Sequence, residues 1–267
     1  MPNSPRPIAF VLASTNHGTL ILNRNDEHQV GAHSYGVGIE ILRQGAFCPD
    51  EIDLAVRLLE LRRGVYGDGV VAIDCGANIG VHTIEWARQM AGWGQVIAIE
   101  AQEYIYYALA GNIVINNCLN AKAIHAAATS ADGVMRIPMP NYMERASFGS
   151  LELKQLAKPE NIGQKIDYRE EAMTLVRAIR LDSLNLQRLD LVKIDVEGME
   201  IDVLEGTGQS LNNHKPILLI EHFKTDRDRM LGMLQNWGYQ IYNPGGMNLL
   251  AVHASDRSRE LISQDAS

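Results

Sequence analysis

The sequence predicts a doubly wound α/β fold: a mostly parallel sheet covered by helices on both faces, an antiparallel C-terminal edge hairpin, and a small N-terminal β-appendage. Three observations carry that expectation. Between residues 70 and 237, short continuously apolar runs alternate with helix-length periodic segments, as strands buried on both faces do. The last apolar runs, "YQIYN" and "NLLAVH", flank a turn-rich "NPGG" and read as a hairpin. Finally, 267 residues with 46% hydrophobic composition suffice for one generous core.

Each element follows in chain order. The opening "MPNSPRP" has three prolines and no periodicity, and reads as a loose tail. "IAFVLAS" and "GTLILN" read as two strands around a turn at Asn16, His17 and Gly18, so residues 1–48 are assigned to the tail and β-appendage. From Pro49, the spacing of Ile52, Val56 and Leu59 predicts a helix that ends by Gly64 or Gly67. Residues 49–267 then form the main domain. Strands are expected at "VVAID", "QVIAIE" (95–100), "AKAIHAAA" (121–128), "DLVKID" (190–195) and "PILLIEH" (216–222). Helices fall between them, near 79–91, 103–117, 199–209 and 226–237. Residues 129–189 break the alternation with prolines, charges and "SFGSLEL", and read as an insertion over the rim of the sheet. Its "NYMERASFGSLEL", with Tyr142, Met143, Phe148 and Ser150, suits either a lid over an acceptor pocket or a surface loop; Asp182 reads as the cap of the short helix that follows it.

Composition narrows the function classes. With 32 acidic against 24 basic residues the net charge is −8, which disfavours a phosphate-tracking surface and makes nucleic acid an unexpected partner. Cys48, Cys75 and Cys118 match neither a disulfide framework nor a zinc spacing and suit a reducing cytoplasm. No apolar run reaches the length of a membrane span. The appendage has edge potential that would serve a homodimer.

"VVAIDCGANIGVHT" sits where a doubly wound sheet binds its ligand, at the first turn from strand to helix. Gly76 and Gly80 remove side chains where a ligand meets backbone, and Asn78 tolerates a left-handed conformation. Asp74 puts a negative charge where a dinucleotide pyrophosphate would be repelled and an amino-bearing group held. The dinucleotide fingerprint also needs glycine where this chain has Asn78 and Val81. Glu100, at the end of the second strand, is placed to accept ribose hydroxyls. A ribose without phosphates, joined to a cationic amino-acid end, describes S-adenosylmethionine. Ala77, Ala101 and Ala127 extend the cofactor-lining set, with Ala127 letting an adenine edge approach, and Thr83 could donate to the methionine carboxylate.

"DCGANIGVHT", "IAIEAQ", "GNIVINN" and above all "LVKIDVEGMEIDVLEG" followed by "ILLIEH" resemble the FkbM-type family of S-adenosylmethionine-dependent methyltransferases, over roughly residues 70–253. The resemblance implies a class I, Rossmann-like methyltransferase fold with seven strands and O-methylation of sugars, polyketides or other secondary metabolites. Carried over, Gly76, Asn78 and Gly80 would line the methionine moiety with Asp74 turned toward it, and Glu100 would take the ribose.

Transfer from a sulfonium asks the protein chiefly to align an acceptor oxygen, about 3 Å from the methyl carbon. A base or a metal ion near the acceptor hydroxyl would help its proton leave. Asp195 is the first choice for catalytic carboxylate, with the alternative that it accepts N–H groups in the following turn. Glu197, Glu221 and His222 lie on the same rim; Glu197 could equally cap a helix, and His222 could be a packing residue. Asp195 with Glu221 and His222 could hold Mg²⁺, although no metal ligand set is assigned. Lys193, inside an apolar strand, is expected to pair with an acid. The expected partner is a small-molecule or glycan acceptor. The alternatives are an RNA methyltransferase and a non-catalytic S-adenosylmethionine-binding module.

Overall fold

All six residues of "VVAIDC" are buried, and this strand runs through the middle of the molecule. The computed structural model describes residues 7–243 and 248–259. In chain order the N-terminal part comprises β1 (Phe10–Thr15), β2 (Gly18–Asn23), β3 (His28–Val30), β4 (His33–Tyr35), α1 (Val37–Gln44) and α2 (Pro49–Tyr66). The alternating region follows with β5 (Val70–Cys75), α3 (Val81–Gln89), β6 (Gly94–Glu100), α4 (Glu103–Ile115) and β7 (Ala121–His125). The insertion supplies β8 (Ala127–Ala128), β9 (Gly133–Pro138) and β10 (Met173–Ile179). The chain then gives β11 (Leu191–Ile194), α5 (Glu200–Glu205), α6 (Gly208–His214), β12 (Ile217–Glu221), α7 (Arg227–Asn236), β13 (Tyr239–Tyr242) and β14 (Asn248–His253).

The seven-stranded sheet has the order β13-β14-β12-β11-β5-β6-β7. β5, β6, β7, β11 and β12 pair in parallel, while β14 runs antiparallel to both β12 and β13. The doubly wound sheet with an antiparallel edge is therefore observed; the "NPGG" turn itself lies largely outside the described residues, as does nearly all of the N-terminal tail. Period-two alternation along β5 divides the core. Val70 and Ala72 face one side and pack with Ile52 and Leu59 of α2, Ile84 of α3 and Leu109 of α4. Val71, Ile73 and Cys75 face the other, with Leu204 of α5, Leu211 of α6 and Met230 of α7.

The appendage differs from a purely β expectation. β1 and β2 do form the hairpin, with Thr15 opposite Gly18, but residues 37–44 are the helix α1, closed by Gly45 in the left-handed conformation. The asparagines of "GNIVINN" attach this hairpin to α4. Asn112 accepts from Ile21 N at 2.6 Å and donates to Ile21 O at 3.0 Å, and Asn116 does the same with Thr19 at 3.2 and 2.8 Å. Residues four apart on a helix share one face, as residues two apart do on a strand, so two carboxamides replace a third strand on the edge of β2.

Two expectations are corrected in the insertion. The run "AKAIHAAA" is not one strand: Ala121–His125 stays in the main sheet, while Ala127 and Ala128 pair with Ala178 and Ile179 of β10. Asp182 does not cap the short 3₁₀ turn it belongs to; its carboxylate accepts from Gln209 N (3.0 Å) and Ser210 N (2.7 Å) and so caps α6.

Candidate functional site

The C-terminal ends of β5, β6, β11 and β12 share one rim, and above it lies a cavity of about 570 Å³. The rim is crowded. The backbone turns with positive φ at Gly76 (76°) and Asn78 (51°), and an ideal Cβ on Gly76 would come within 1.7 Å of the Asp195 carbonyl oxygen. Glycine is thus required where the ends of β5 and β11 converge. The turn's donors point back into the sheet. Gly76 N and Ala77 N both donate to Ile99 O at 3.0 Å, and Asn78 N donates to Glu100 Oε2 at 2.9 Å. Donors spent in this way do not form a phosphate cradle.

Glu100 is 6% exposed and lies on the cavity wall. Its other oxygen accepts from Gln102 N at 2.8 Å. Burial pushes its carboxyl up to about 7, against the lowering effect of the Gln102, Asn78 and Ala101 N–H groups. Gly76, Ala77, Asn78, Ala101 and Ala127 share the wall with it. Three residues of the sequence-derived set lie behind that wall. Asp74 (1% exposed) accepts from the Thr83 hydroxyl at 2.7 Å, so both side chains turn inward, and Asp74 Oδ1 has no hydrogen-bond partner among the described residues. Gly80 opens α3 at φ 91°, where a Cβ would strike Leu109 Cδ1 at 2.5 Å.

Opposite the cofactor turn, Asp195, Glu197 and Glu221 offer oxygens that all lie within 4.8 Å of one another. Lys193, buried in β11, donates to Asp195 Oδ2 at 2.7 Å, the expected acid pairing. Burial, then the Asp195 and Glu197 charges, push Glu221 up to about 9; burial and Asp195 push Glu197 up to about 8, although Lys224 sits 2.5 Å from it. The N–H groups of the "VEG" turn do not go to Asp195: Val196 N and Gly198 N donate to the buried Glu200, at 3.3 and 3.0 Å. His222 stacks on Phe223 (5.3 Å between centroids) and does not line the cavity.

The remaining walls contain residues that sequence reasoning missed. Tyr35, Val37, Glu40, Phe47, Cys48 and Glu51 come from the appendage and the start of α2. Tyr35 donates to Glu160 at 2.7 Å, and Lys224 joins Glu160 (2.6 Å) to Glu197 and donates to Ser150 O (2.9 Å). This network ties appendage, insertion and sheet rim together around the cavity. In the insertion Phe148 is core and Met143 is exposed, while Ser150 lines the cavity, so the segment is neither purely lid nor purely surface loop. A charged residue inside a loop of unknown path gives little signal of its destination; only "EHFK", directly after a strand, places Lys224 near the rim.

Comparison with known proteins identifies the family. The pattern described as "Methyltransferase FkbM domain" matches residues 74–241, more than half of the chain. Methyltransferase sdnD of Sordaria araneosa is 24% identical over 190 residues, covering 63% of this chain and 73% of that protein. Among solved structures, methyltransferase FkbM from Methylobacillus flagellatus KT is 18% identical with a TM-score of 0.47; the match covers 70% of this chain but spans only 43% of that one. The tRNA (uracil-54, C5)-methyltransferase of Pyrococcus abyssi, solved with S-adenosyl-L-homocysteine, is 13% identical with a TM-score of 0.43, over 91% of this chain and 44% of that one.

Proposed function

This chain belongs to the FkbM methyltransferase family, and from that premise we propose that it transfers a methyl group from S-adenosylmethionine to a hydroxyl oxygen of a small molecule, a sugar or a secondary-metabolite precursor. The observation that carries the reading is the convergence, on one cavity, of a turn with its N–H groups spent, a buried acid at the end of β6, and carboxylates at the ends of β11 and β12. The first two favour an unphosphorylated nucleoside, and the third supplies acids beside the acceptor.

The residues fit the cofactor. Glu100 would take the ribose hydroxyls, Ala101 and Ala127 would flank the adenine, and Gly76, Ala77 and Asn78 would line the amino-acid end. Asp74, behind the turn, has one buried oxygen without a donor among the described residues and would favour the amino end of the cofactor from there. S-adenosylmethionine supplies a methyl group already activated by its sulfonium charge. The chain's own part is then to hold the acceptor and take its proton. Asp195, kept oriented by Lys193, and Glu221, with its high proton affinity, are the groups assigned to that proton, with Glu197 modulating both. His222, off the cavity wall, is assigned no chemical step. Mg²⁺ would find hard oxygen ligands in the Asp195, Glu197 and Glu221 trio, and no step is derived from it.

The RNA reading gains no support from a cavity rimmed by carboxylates. The described residues contain no helix long and apolar enough to cross a membrane. With Cys48, Cys75 and Cys118 all free, we assign the activity to the cytoplasm.

The test is calorimetry with S-adenosylmethionine and S-adenosylhomocysteine against NAD and ATP, followed by transfer of labelled methyl. Uptake of the first pair alone is expected, with Glu100→Gln weakening it at least tenfold; tight NAD or ATP with no uptake of either adenosyl compound refutes the assignment. Binding without transfer to any hydroxyl acceptor would instead support the non-catalytic module.

A further inference from the structure

Resting on the methyl-transfer reading above, we propose that the acceptor is an alcohol carrying a protonated amine and neither phosphate nor carboxylate, and that the N-terminal segment 35–51 builds much of the wall that selects it. That segment lies outside the family match at 74–241, yet it lines the same cavity as the rim carboxylates.

Acids outnumber cations on the cavity wall. Away from Glu100, Glu40, Glu51, Glu160, Asp195, Glu197 and Glu221 line it, so that even with protons on Glu197 and Glu221 four acids face the ammonium groups of Lys193 and Lys224. Neither lysine is free to receive an anion. Lys193 is 3% exposed and bonded to Asp195, and Lys224 is held between Glu160 and Glu197. An acceptor bearing phosphate or carboxylate would meet acids on several sides, with no unpaired cation on the wall among the described residues.

The hydrogen-bonding inventory points the same way. Asn248, at the start of β14, donates through Nδ2 to Glu51 Oε2 at 2.7 Å, which fixes its amide, and its buried Oδ1 is without a donor among the described residues. Glu51 Oε1 lies 3.1 Å from His82 Nε2 and has no hydrogen-bond donor among the described residues. The Glu221 carboxyl accepts no side-chain hydrogen bond among the described residues and has oxygens of Asp195 and Glu197 within 4.8 Å on the same wall. These groups are acceptors in search of donors, and an ammonium offers three donors with the complementary charge. Val37, Phe47, Leu151 and Phe223 supply apolar surface between the acids; Phe223, although 63% exposed, lies on the same wall. An aromatic face tolerates a cation well. Three separate segments thus supply the selection: the appendage, the insertion and the loop after β12.

The experiment uses full-length protein, with and without saturating S-adenosylhomocysteine, and a size-matched set of small alcohols divided into amines, neutral compounds and anions (carboxylates or phosphates). Binding is followed by the methyl chemical shifts of Val37 and Leu151. Amines are expected to be at least fivefold over-represented among binders and anions absent. Glu40→Gln and Glu51→Gln should each weaken the amines at least fivefold, with neutral alcohols and S-adenosylhomocysteine changed less than twofold. Equal binding by neutral or anionic alcohols, or amine binding insensitive to both variants, overturns the proposal. Binding of Mg²⁺ alone with no amine bound also overturns it and assigns the carboxylates to a metal. Failure of S-adenosylhomocysteine to bind would refute the cofactor reading separately, because the charge preference is also read without it.

Discussion

An ideal Cβ at position 76 would sit 1.7 Å from the Asp195 carbonyl oxygen, and the backbone there holds φ at 76°. Gly76→Ala therefore faces both steric overlap with backbone and left-handed strain, so the ends of β5 and β11 must separate. We expect a loss of roughly 2–4 kcal/mol in thermal or urea unfolding, together with lost S-adenosylhomocysteine binding. The rim carboxylates give a second test at this scale. A base with a raised pKa is protonated at neutral pH and becomes competent as pH climbs through that value. With Glu221 pushed up to about 9, kcat/KM should rise with pH toward that point. Glu221→Gln is expected to abolish the rise. Asp195→Asn should lower kcat about 100-fold or more with S-adenosylhomocysteine affinity within threefold; unchanged pH profiles in both variants would remove these groups from the chemistry.

At the scale of elements, the main strands and the helices between them were legible because burial on both faces leaves few polar positions to confuse the period. The appendage was less so. Residues 37–44 form one short helix whose apolar positions serve a cavity and a neighbouring hairpin, and eight residues give periodicity little room to declare itself. The asparagines of α4 were visible as composition and opaque as purpose, since their partners at Thr19 and Ile21 are about ninety residues away. Asn112 also donates to Ile79 O at 2.9 Å, so one carboxamide joins the appendage to the cofactor turn. Asn112→Ala leaves Ile21 N and O and Ile79 O without their partner. A loss of about 2–4 kcal/mol is expected, with faster hydrogen exchange at the Ile21 amide. Unchanged exchange there would show that packing alone holds the hairpin.

For the whole molecule, buried acids set the pH dependence of stability. Asp26 accepts from Gly38 N and Phe148 N, both at 3.0 Å, yet burial raises its carboxyl to about 6. Burial raises Glu100 to about 7. A carboxyl whose folded pKa exceeds its unfolded value, here 3.8 and 4.5, binds its proton more tightly in the native state. Its contribution is complete below the unfolded value, falls as pH rises, and is lost above the folded value. The ligand-free protein should therefore lose stability between about pH 4 and 7, with an upper bound of roughly 3 kcal/mol from Glu100 alone. Melting curves at fixed ionic strength check this; a melting temperature rising across that window would contradict the assignment.

The sequence by itself determined the sheet, its crossovers, the glycine turn after β5 and the rim acids, because strand periodicity, glycine and chain order act locally and each leaves a mark within a few residues. It also set Lys193, in β11, beside Asp195, directly after that strand. What only the tertiary structure decided is which side chains reach the cavity. Asp74 and Thr83 bond to each other behind its wall, Gly80 makes room for α4, and Glu40, Glu51 and Lys224 arrive from segments remote in sequence. The reason is physical: a wall is made where distant segments pack together, and the direction a side chain takes there depends on neighbours that no local pattern encodes.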